Sequence, residues 1–185
     1  MQARVSIAAY SGEPPRQAIE KSLAAADALV DECRRHGAHL VAYLGGYRGL
    51  MRIVASRLIS QGATIVLILP RDYEGVDEPN EAIIVRTGMD SKARSAILVR
   101  SGDALLVLGG ASGTLLEAFA AYGLGLPVVY LLGTGLESDN LVKAYGDGVL
   151  DSRIGKLIHY TTDPREAGRL ACRASLGRGL RTGSR

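Results

Sequence analysis

Short apolar segments alternate with segments of helical periodicity along most of this chain, and that alternation constrains the fold more than any other feature. The runs "RVSIAAY" (4–10), "AHLVAYL" (38–44) and "ATIVLILP" (63–70) are nearly continuous in apolar residues, which predicts strands buried on both faces. The segments between them carry apolar residues at helical spacing and end at Gly37 and Gly62. The pattern therefore predicts a parallel sheet with helices on both faces, which is a doubly wound α/β fold.

The second half of the chain continues the same rhythm. Its predicted helices and strands fall at 82–86, 89–101, 103–109, 114–123, 127–132, 138–146, 156–161 and 163–175. In the last helix, Asp163, Pro164 and Glu166 stand where the N-cap, the first and the third helical residue belong. Because we find no tandem repeat and no internal linker, we expect one domain over 1–176 and a basic, flexible tail over 177–185.

Several classes of protein are excluded by the composition. The apolar runs are far shorter than the roughly 20 residues that a membrane-spanning helix needs. The start of the chain also lacks the apolar core of a signal peptide, so we expect a cytoplasmic protein without membrane contact. Cys33 and Cys172 lie outside any CxxC motif and the histidines are scattered, so we expect no metal site and a core-packing role for both cysteines.

The net charge is +3, and the basic residues concentrate towards the end of the chain. The stretch "RLACRASLGRGLRTGSR" (169–185) contains five arginines and no acidic residue. Basic tails can contact nucleic acid. This one has no aromatic residues between its arginines, however, and the whole chain has one Phe and no Trp. A solvated tail is therefore the favoured interpretation, and nucleic acid is not an expected partner.

Ligands of a doubly wound sheet bind beyond the carboxyl ends of its strands. Three predicted loops at that edge are rich in small and turn-forming residues, "YSGEPP" (10–15), "GGYRG" (45–49) and "GGASG" (109–113). None of them has the GxGxxG spacing of a dinucleotide fingerprint, and the chain has no P-loop. The last two loops each open a helix, where backbone N–H groups and the helix dipole favour an anion. Tight turns into helices also use glycine for purely structural reasons, so both interpretations stay open.

Two charged residues near these loops also have two interpretations. Thr114 and Glu117 fit the T-x-x-E capping box, in which each side chain bonds the other's backbone N–H, and spacing alone favours this structural role. In the alternative, Glu117 faces something bound against the glycines. Arg94 lies on the preceding predicted helix, where most arginines are simply solvated.

Taken together, four segments resemble the LOG ("lonely guy") family: "GGYRGLM" (45–51), "ATIVLILP" (63–70), "GMDSKARSAILVRSGDALLVLGGASGTLLE" (88–117) and "GLPVVYL" (125–131). That family belongs to the wider SLOG group of Rossmann-like nucleotide binders, together with the molybdenum-cofactor carrier proteins. LOG enzymes hydrolyse the N-glycosidic bond of nucleoside 5′-monophosphates and release free base and ribose 5-phosphate. The resemblance implies a Rossmann-like fold, and it is nearest to the carrier-like prokaryotic members.

The family signature is PGGxGTxxE, with an Arg-Lys pair on the preceding helix. Gly110, Gly113, Thr114 and Glu117 match the signature, and Arg94 matches the arginine.

Four positions depart from the family pattern. Gly109 stands in place of the proline, Ala111 in place of the second glycine, Ser95 in place of the lysine, and Leu116 where many active members have a second acid. The phosphate turn, its Glu and its Arg are therefore kept, whereas two charged groups of the active enzymes are missing. The resemblance implies nucleotide binding more strongly than hydrolysis.

The resemblance also implies how a nucleotide would be held. Its phosphate would rest on the N–H groups of 110–114, near the hydroxyls of Ser112 and Thr114. Glu117 and Arg94 would be the catalytic pair, with Glu117 facing the ribose and kept ionised by the helix dipole. The other expected contacts of the base or phosphate are Gly45, Gly46, Tyr47, Arg48 and Ser11.

The sequence thus predicts a nucleotide-binding protein and, as a finer hypothesis, a nucleoside 5′-monophosphate phosphoribohydrolase. The alternative is a non-catalytic carrier or sensor of a phosphorylated ligand, such as a pterin-based cofactor or a signalling nucleotide. In both cases the partner is a phosphorylated small molecule, and no cofactor is expected. The resemblance implies a homodimer. The base that is recognised and the role of the polar stretch 71–88 stay open.

Overall fold

A computed structural model describes residues 1–75 and 78–178. The strands of this part are β1 (Gln2–Ala8), β2 (His39–Leu44), β3 (Thr64–Leu69), β4 (Ile83–Arg86), β5 (Ala104–Val107), β6 (Val128–Leu131) and β7 (Ile158–Thr161). The α-helices are α1 (Arg16–Arg35), α2 (Gly49–Ser60), α3 (Ser91–Ser101), α4 (Ser112–Gly123), α5 (Leu141–Ala144) and α6 (Pro164–Ser175). The described strands form one parallel sheet in the order β4-β3-β2-β1-β5-β6-β7. The predicted doubly wound, Rossmann-like α/β fold is confirmed.

The helices cover the sheet on both sides. α1, α2 and α6 pack together on one face, and α3 and α4 pack together on the other. Along β5, Leu106 belongs to the core under the first group of helices, whereas Leu105 and Val107 belong to the core under the second. Both faces of the strand are therefore buried, which explains why the strands read as continuous apolar runs.

The closest helix contact joins α1 and α6. A Cβ built on Gly168 would lie 2.2 Å from the carbonyl oxygen of Ala25, so glycine is needed there for the two backbones to approach. Cys33 of α1 and Cys172 of α6 are both buried and are joined by a disulfide, with their Cα atoms 5.7 Å apart. The sequence predicted a core-packing role for the two cysteines but not their disulfide. Cysteines that lie 139 residues apart show no sign of pairing in the sequence.

Several element boundaries differ from the prediction by one or more residues, and two of the differences concern helical segments after β5. α4 begins at Ser112, two residues before the predicted start, because the N–H of Leu115 already donates to the carbonyl of Ala111. The helical stretch predicted at 138–146 is a 3₁₀ turn over Glu137–Asn140 followed by the single-turn α5. The short strand predicted at 82–86 is confirmed as β4, which lies at one edge of the sheet.

The start of the last helix is partly as predicted. Asp163 caps α6 by accepting a hydrogen bond from the N–H of Arg165, and Pro164 is the first helical residue. Glu166 is the third helical residue, as predicted, but its carboxylate pairs with the hydroxyl of Thr161 on β7 and not with the N–H of Asp163.

β1 and β5 are adjacent, and the chain leaves them towards opposite sides of the sheet. The loops that follow these two strands therefore diverge and leave a crevice at the carboxyl edge, which is where doubly wound proteins bind ligands. Among the described helices, none is long and apolar enough to cross a membrane. The cytoplasmic location and the single domain over 1–176 stay predictions, and most of the predicted tail, residues 179–185, lies outside the described residues.

Candidate functional site

A cavity of about 480 Å³ opens at the switch point between β1 and β5. It is lined by the loop after β1, the start of α2, the 3₁₀ turn that follows β3, and the first turns of α3 and α4. The lining residues are Ala9, Tyr10, Ser11, Met51, Tyr73, Ser91, Lys92, Arg94, Ser95, Ala111, Ser112, Gly113, Thr114, Leu116 and Glu117. Its volume lies within the range of roughly 300 to 1,000 Å³ that is typical of small-molecule sites.

The glycine turn that leads into α4 is fixed by hydrogen bonds to Ser138, on a separate loop. Gly109 has a φ of +106°, a conformation open to glycine and closed to proline, whose ring fixes φ near −65°. The N–H of Gly110 donates to the hydroxyl of Ser138 at 2.9 Å, and the N–H of Ser138 donates back to the carbonyl of Gly110 at 2.8 Å. The N–H of Gly110 is thus already used, and the implied phosphate contact at this residue does not fit the structure.

The N-terminus of α4 faces the cavity without a cap. Ala111 precedes the helix, and no side chain of the described residues caps it. Ser112, Gly113 and Thr114 line the cavity, and N–H groups in a first turn have no intrahelical acceptor. A Cβ built on Gly113 would meet no atom of the described residues within 4 Å, so the space in front of this helix end is open. Free N–H groups and the positive end of the helix dipole are features that favour an anion at a helix N-terminus.

Glu117 does not form the predicted capping box with Thr114. Because α4 begins at Ser112, Thr114 is its third residue and Glu117 its sixth, one turn too far along for the box. The Glu117 carboxyl points towards α3, where its Oε1 lies 3.0 Å from the Ser95 hydroxyl and 3.6 Å from Nη1 of Arg94. The capping interpretation is wrong, and Glu117 lines the cavity instead.

Arg94 is buried beside Glu117, with only 7% of its side chain exposed. Its Nε and Nη1 atoms have no hydrogen-bond partner among the described residues. Burial lowers the pKa of Arg94, although a guanidinium remains charged in proteins. A Cβ on Gly45 would lie 1.8 Å from Nη1 of Arg94, so glycine at this position leaves the space that the guanidinium fills. The arginine is not solvated, and its unsatisfied N–H groups suit an anionic ligand.

The surroundings of Glu117 shift its pKa in the direction opposite to the expected one. Burial raises the pKa of Glu117, and this effect outweighs the opposing influences of Arg94 and Ser95. The helix dipole was expected to keep the carboxyl ionised, but its effect falls off after the first turn of a helix. Burial therefore opposes the ionised form that the helix dipole was expected to favour.

The loop at 45–49 supports the cavity from behind. The described residues that line the cavity include Ser11 but none of Gly45, Gly46, Tyr47 and Arg48. The Tyr47 hydroxyl is hydrogen-bonded to Ser56 at 2.7 Å, and the Arg48 guanidinium lies 4.5 Å above the Tyr73 ring. A Cβ on Gly46 would come within 2.8 Å of the same ring. Arg48 and Gly46 thus pack against Tyr73, which lies in the cavity wall.

Sequence reasoning missed several residues of the site, among them Tyr73, Lys92 and Ser138. Tyr73 and Lys92 line the cavity, and Ser138 anchors the glycine turn. Tyr73 lies in the polar stretch that gave no periodic signal, and Ser138 comes from a loop distant in sequence. Lys92 lies two residues before Arg94 on α3 and is exposed, which is the usual state of a lysine on a helix.

The fold and the cavity define a Rossmann-like protein in which the N-terminus of α4, without a side-chain cap among the described residues, faces a cavity. The chain belongs to the SLOG cluster4 family, whose model matches residues 7–163. The resemblance to the SLOG group seen in the sequence is confirmed.

Several known proteins are similar to this chain. A solved structure of a protein designated TM1055 is 30% identical, with a TM-score of 0.77, and the match covers 92% of this chain and 98% of that one. An uncharacterized protein of Archaeoglobus fulgidus is 38% identical over 88 residues, which are 47% of this chain and 56% of that protein. This chain therefore matches about half the length of that curated relative.

Two further similar structures are of proteins whose names mention the molybdenum cofactor. One is the molybdenum cofactor carrier protein MCP from Chlamydomonas reinhardtii, which is 24% identical with a TM-score of 0.67, covering 96% of this chain and all (100%) of that one. The other is the molybdenum cofactor binding protein from Rippkaea orientalis, which is 16% identical with a TM-score of 0.70, covering 92% and 95%. At these identities the likeness establishes the fold alone. Among the described residues, no group of three or more His, Cys, Asp or Glu side chains could hold a metal ion.

Proposed function

We propose that this chain binds a phosphorylated small molecule of the nucleoside 5′-monophosphate class in the cavity between α3 and α4. The observation that carries the proposal is the uncapped N-terminus of α4 beside the buried, unsatisfied guanidinium of Arg94. The phosphate would accept hydrogen bonds from the N–H groups of Ser112, Gly113 and Thr114. Tyr10 and Tyr73 line the same cavity and offer aromatic surface to a planar base.

The finer proposal is hydrolysis of the N-glycosidic bond. Cleavage of this bond gives the sugar positive character, which a nearby carboxylate stabilises, and the departing base must gain a proton. Glu117 is suited to proton transfer because burial raises its pKa towards the working pH of a general acid or base. Water would supply the hydroxyl for ribose 5-phosphate, and the proton would end on the free base.

A carrier or sensor of a phosphorylated ligand is the second candidate function. Leu116 lines the cavity with 40% of its surface exposed, where active LOG enzymes have an acid. Ser95 takes the place of their lysine and holds the Glu117 carboxyl through a hydrogen bond. A site with the phosphate cradle but fewer charged groups suits retention of a ligand better than its cleavage. Two similar structures are of proteins named for the molybdenum cofactor, so a pterin-based cofactor is one example of the phosphorylated ligand that a carrier would hold.

One experiment separates these functions. The full chain is titrated calorimetrically with AMP, GMP, CMP, IMP and UMP, and the mixtures are assayed for free base and ribose 5-phosphate. Glu117→Gln tests the chemistry, and Glu20→Gln, a change at an exposed glutamate of α1, is the matched control. Release of base that is lost only in Glu117→Gln supports the hydrolase. Binding without release supports the carrier, and absence of binding to all five nucleotides contradicts the nucleotide-binding proposal.

We also propose that the chain forms a homodimer through the outer face of α4. Leu116, Phe119 and Leu124 are each 40% exposed or more, and Tyr145 packs edge-on against Phe119. A contiguous apolar patch of this kind is typical of an interface. Because Leu116 also lines the cavity, a second copy on this face would cover its rim. Light scattering of the full chain and of Phe119→Asp tests the proposal, and a monomeric wild type contradicts it.

A further inference from the structure

The Ser95 hydroxyl lies between two acceptors but carries only one hydrogen. Its Oγ is 3.1 Å from the carbonyl oxygen of Ser91, one turn earlier in α3, and 3.0 Å from Oε1 of Glu117. If Ser95 donates to Glu117, the carboxyl can be ionised. If Ser95 donates to Ser91, as serines in helices commonly do towards the residue four positions earlier, Glu117 must be the donor in the second hydrogen bond. In that case Glu117 carries a proton.

The position of Arg94 favours the second arrangement. An arginine that pairs with an ionised carboxylate forms charge-assisted hydrogen bonds of roughly 2.7 to 2.9 Å. Nη1 of Arg94 instead lies 3.6 Å from Oε1 of Glu117 and has no hydrogen-bond partner among the described residues. The two groups are neighbours in a buried place, yet the guanidinium does not donate to the carboxyl. This geometry is that of a cation beside a neutral acid.

We propose that Glu117 is protonated in the unliganded site, where it donates to Ser95 and Ser95 donates to Ser91, and that loss of this proton weakens anion binding. Arg94 then gives the cavity a positive charge that no neighbouring carboxylate cancels. Burial, which disfavours the charged form of a carboxyl, acts in the same direction. Ser95 is a positioning residue, since it acts through Glu117. The inference rests on the proposed function, because it concerns the charge of the same anion site.

The other charged and titratable groups around the cavity come from several elements. α3 contributes Arg94 and Lys92, the 3₁₀ turn after β3 contributes Tyr73, and the loop after β1 contributes Tyr10. Glu117 is the one carboxyl among the described residues that line the cavity, so a change of site charge over the pH range of the experiment is assigned to it. Because anion binding favours the protonated carboxyl, affinity is highest at low pH and falls as the pH rises through the pKa of Glu117.

Sulfate is the appropriate probe because, unlike a phosphate ester, it keeps the same charge throughout this range. The full chain is titrated calorimetrically with sodium sulfate in steps from about pH 5 to about pH 8, where linkage to one proton gives at most a tenfold loss of affinity per pH unit. We expect the wild type to weaken by about tenfold or more over the whole range. Glu117→Gln, which keeps a neutral side chain, should bind at all pH values about as tightly as the wild type does at low pH. An affinity of the wild type that does not change with pH overturns the proposal.

Ser95→Ala identifies the direction of the hydrogen bond. If Ser95 accepts from the protonated Glu117, its removal destabilises the neutral carboxyl and moves the loss of affinity to lower pH. If Ser95 donates to an ionised Glu117, the loss moves to higher pH, and the proposal is wrong. Ser101→Ala is the matched control, since Ser101 makes the same bond to a carbonyl four residues earlier in α3 but does not contact Glu117. It should leave the profile unchanged.

Infrared difference spectra provide a readout independent of binding. The wild type minus Glu117→Gln should show the C=O band of a carboxylic acid at about pH 6, and a carboxylate band in its place contradicts the proposal. The outcomes distinguish this inference from the proposed function. If neither sulfate nor any nucleotide binds, the anion site itself fails. If sulfate binds with the same affinity at every pH, only the protonation of Glu117 fails.

Discussion

The N-termini of α6 and α4 are built in opposite ways. α6 has Asp163 as a cap that accepts from the N–H of Arg165, and Pro164 as its first residue. α4 has Ala111 before it, no cap among the described residues, and an open space in front of Gly113. The two ends differ in that α6 uses a first-turn N–H group for its cap, whereas α4 leaves its first-turn N–H groups without a side-chain cap where they face the cavity. Departures from local optimality of this kind are expected at functional sites.

The largest expected effect comes from closing the open end of α4 with a cap. In Ala111→Asp the carboxylate should occupy the first-turn N–H groups, add about 1 kcal/mol to the free energy of unfolding, and repel an anion. We expect sulfate and nucleotide affinity to fall by about a hundredfold, which corresponds to roughly 3 kcal/mol. Calorimetry and chemical denaturation measure the two effects.

Ala111→Asn is the matched control, because asparagine caps as well as aspartate without its charge. Its affinity should lie between those of the wild type and Ala111→Asp. Unchanged affinity in Ala111→Asp contradicts an anion site at this helix end.

A smaller change to the same end is Gly113→Ala. Both Gly113 and Gly123 lie in α4, and a Cβ on either would meet no atom of the described residues within 4 Å. Alanine should therefore stabilise the helix at both positions by up to about 1 kcal/mol. Only at Gly113 does the new methyl enter the space proposed for the phosphate, so we expect about a tenfold loss of affinity there. Equal affinities of the two variants, measured by calorimetry, contradict the proposed position.

Removal of the cap from α6 should lower the stability and leave anion affinity unchanged, which is the opposite of the result expected for Ala111→Asp. Asp163→Ala should lower the free energy of unfolding by about 1 kcal/mol, because the N–H of Arg165 loses its acceptor. Anion affinity should not change, since Asp163 does not line the cavity. Denaturant titration and calorimetry on the same sample check both parts. A loss of affinity here would mean that helix ends affect binding through general stability and not through direct contact.

These helix ends also mark the limit of what the sequence reveals. The buried strands were predictable because a strand covered on both faces must be apolar throughout. The Asp163 cap was predictable because a cap depends on adjacent residues alone. The T-x-x-E pattern at Thr114 and Glu117 misled, because it does not state where the helix begins, and a start at Ser112 places Glu117 one turn further on.

The rest of the site depends on contacts between distant segments. That Glu117 and Arg94 are neighbours was implied by the family resemblance and not by their spacing. Ser138 reaches the glycine turn from a separate loop, and the disulfide partner of Cys33 lies 139 residues away. No local pattern encodes such pairs, because the fold alone brings them together.

The smallest expected effect concerns the third helix end, that of α3. Asp90 accepts hydrogen bonds from the N–H groups of Lys92 and Ala93, and these bonds lower the pKa of its carboxyl. Since the pKa is lower in the folded state, the stabilisation is complete above the unfolded value of about 4 and is lost as the pH falls below it. Asp90→Asn keeps a cap that does not titrate.

The free energy of unfolding should consequently fall more steeply between about pH 5 and about pH 3 in the wild type than in Asp90→Asn. Denaturant titrations at several pH values measure both slopes, and parallel slopes contradict the assignment. The uncapped end of α4 supplies the complementary test. Ala111→Asp places a new carboxylate where none titrates in the wild type, so this variant should gain an acid sensitivity that Asp90→Asn has lost. A variant that gains the stability but not the acid sensitivity would show that the new side chain stabilises α4 without accepting from its first-turn N–H groups.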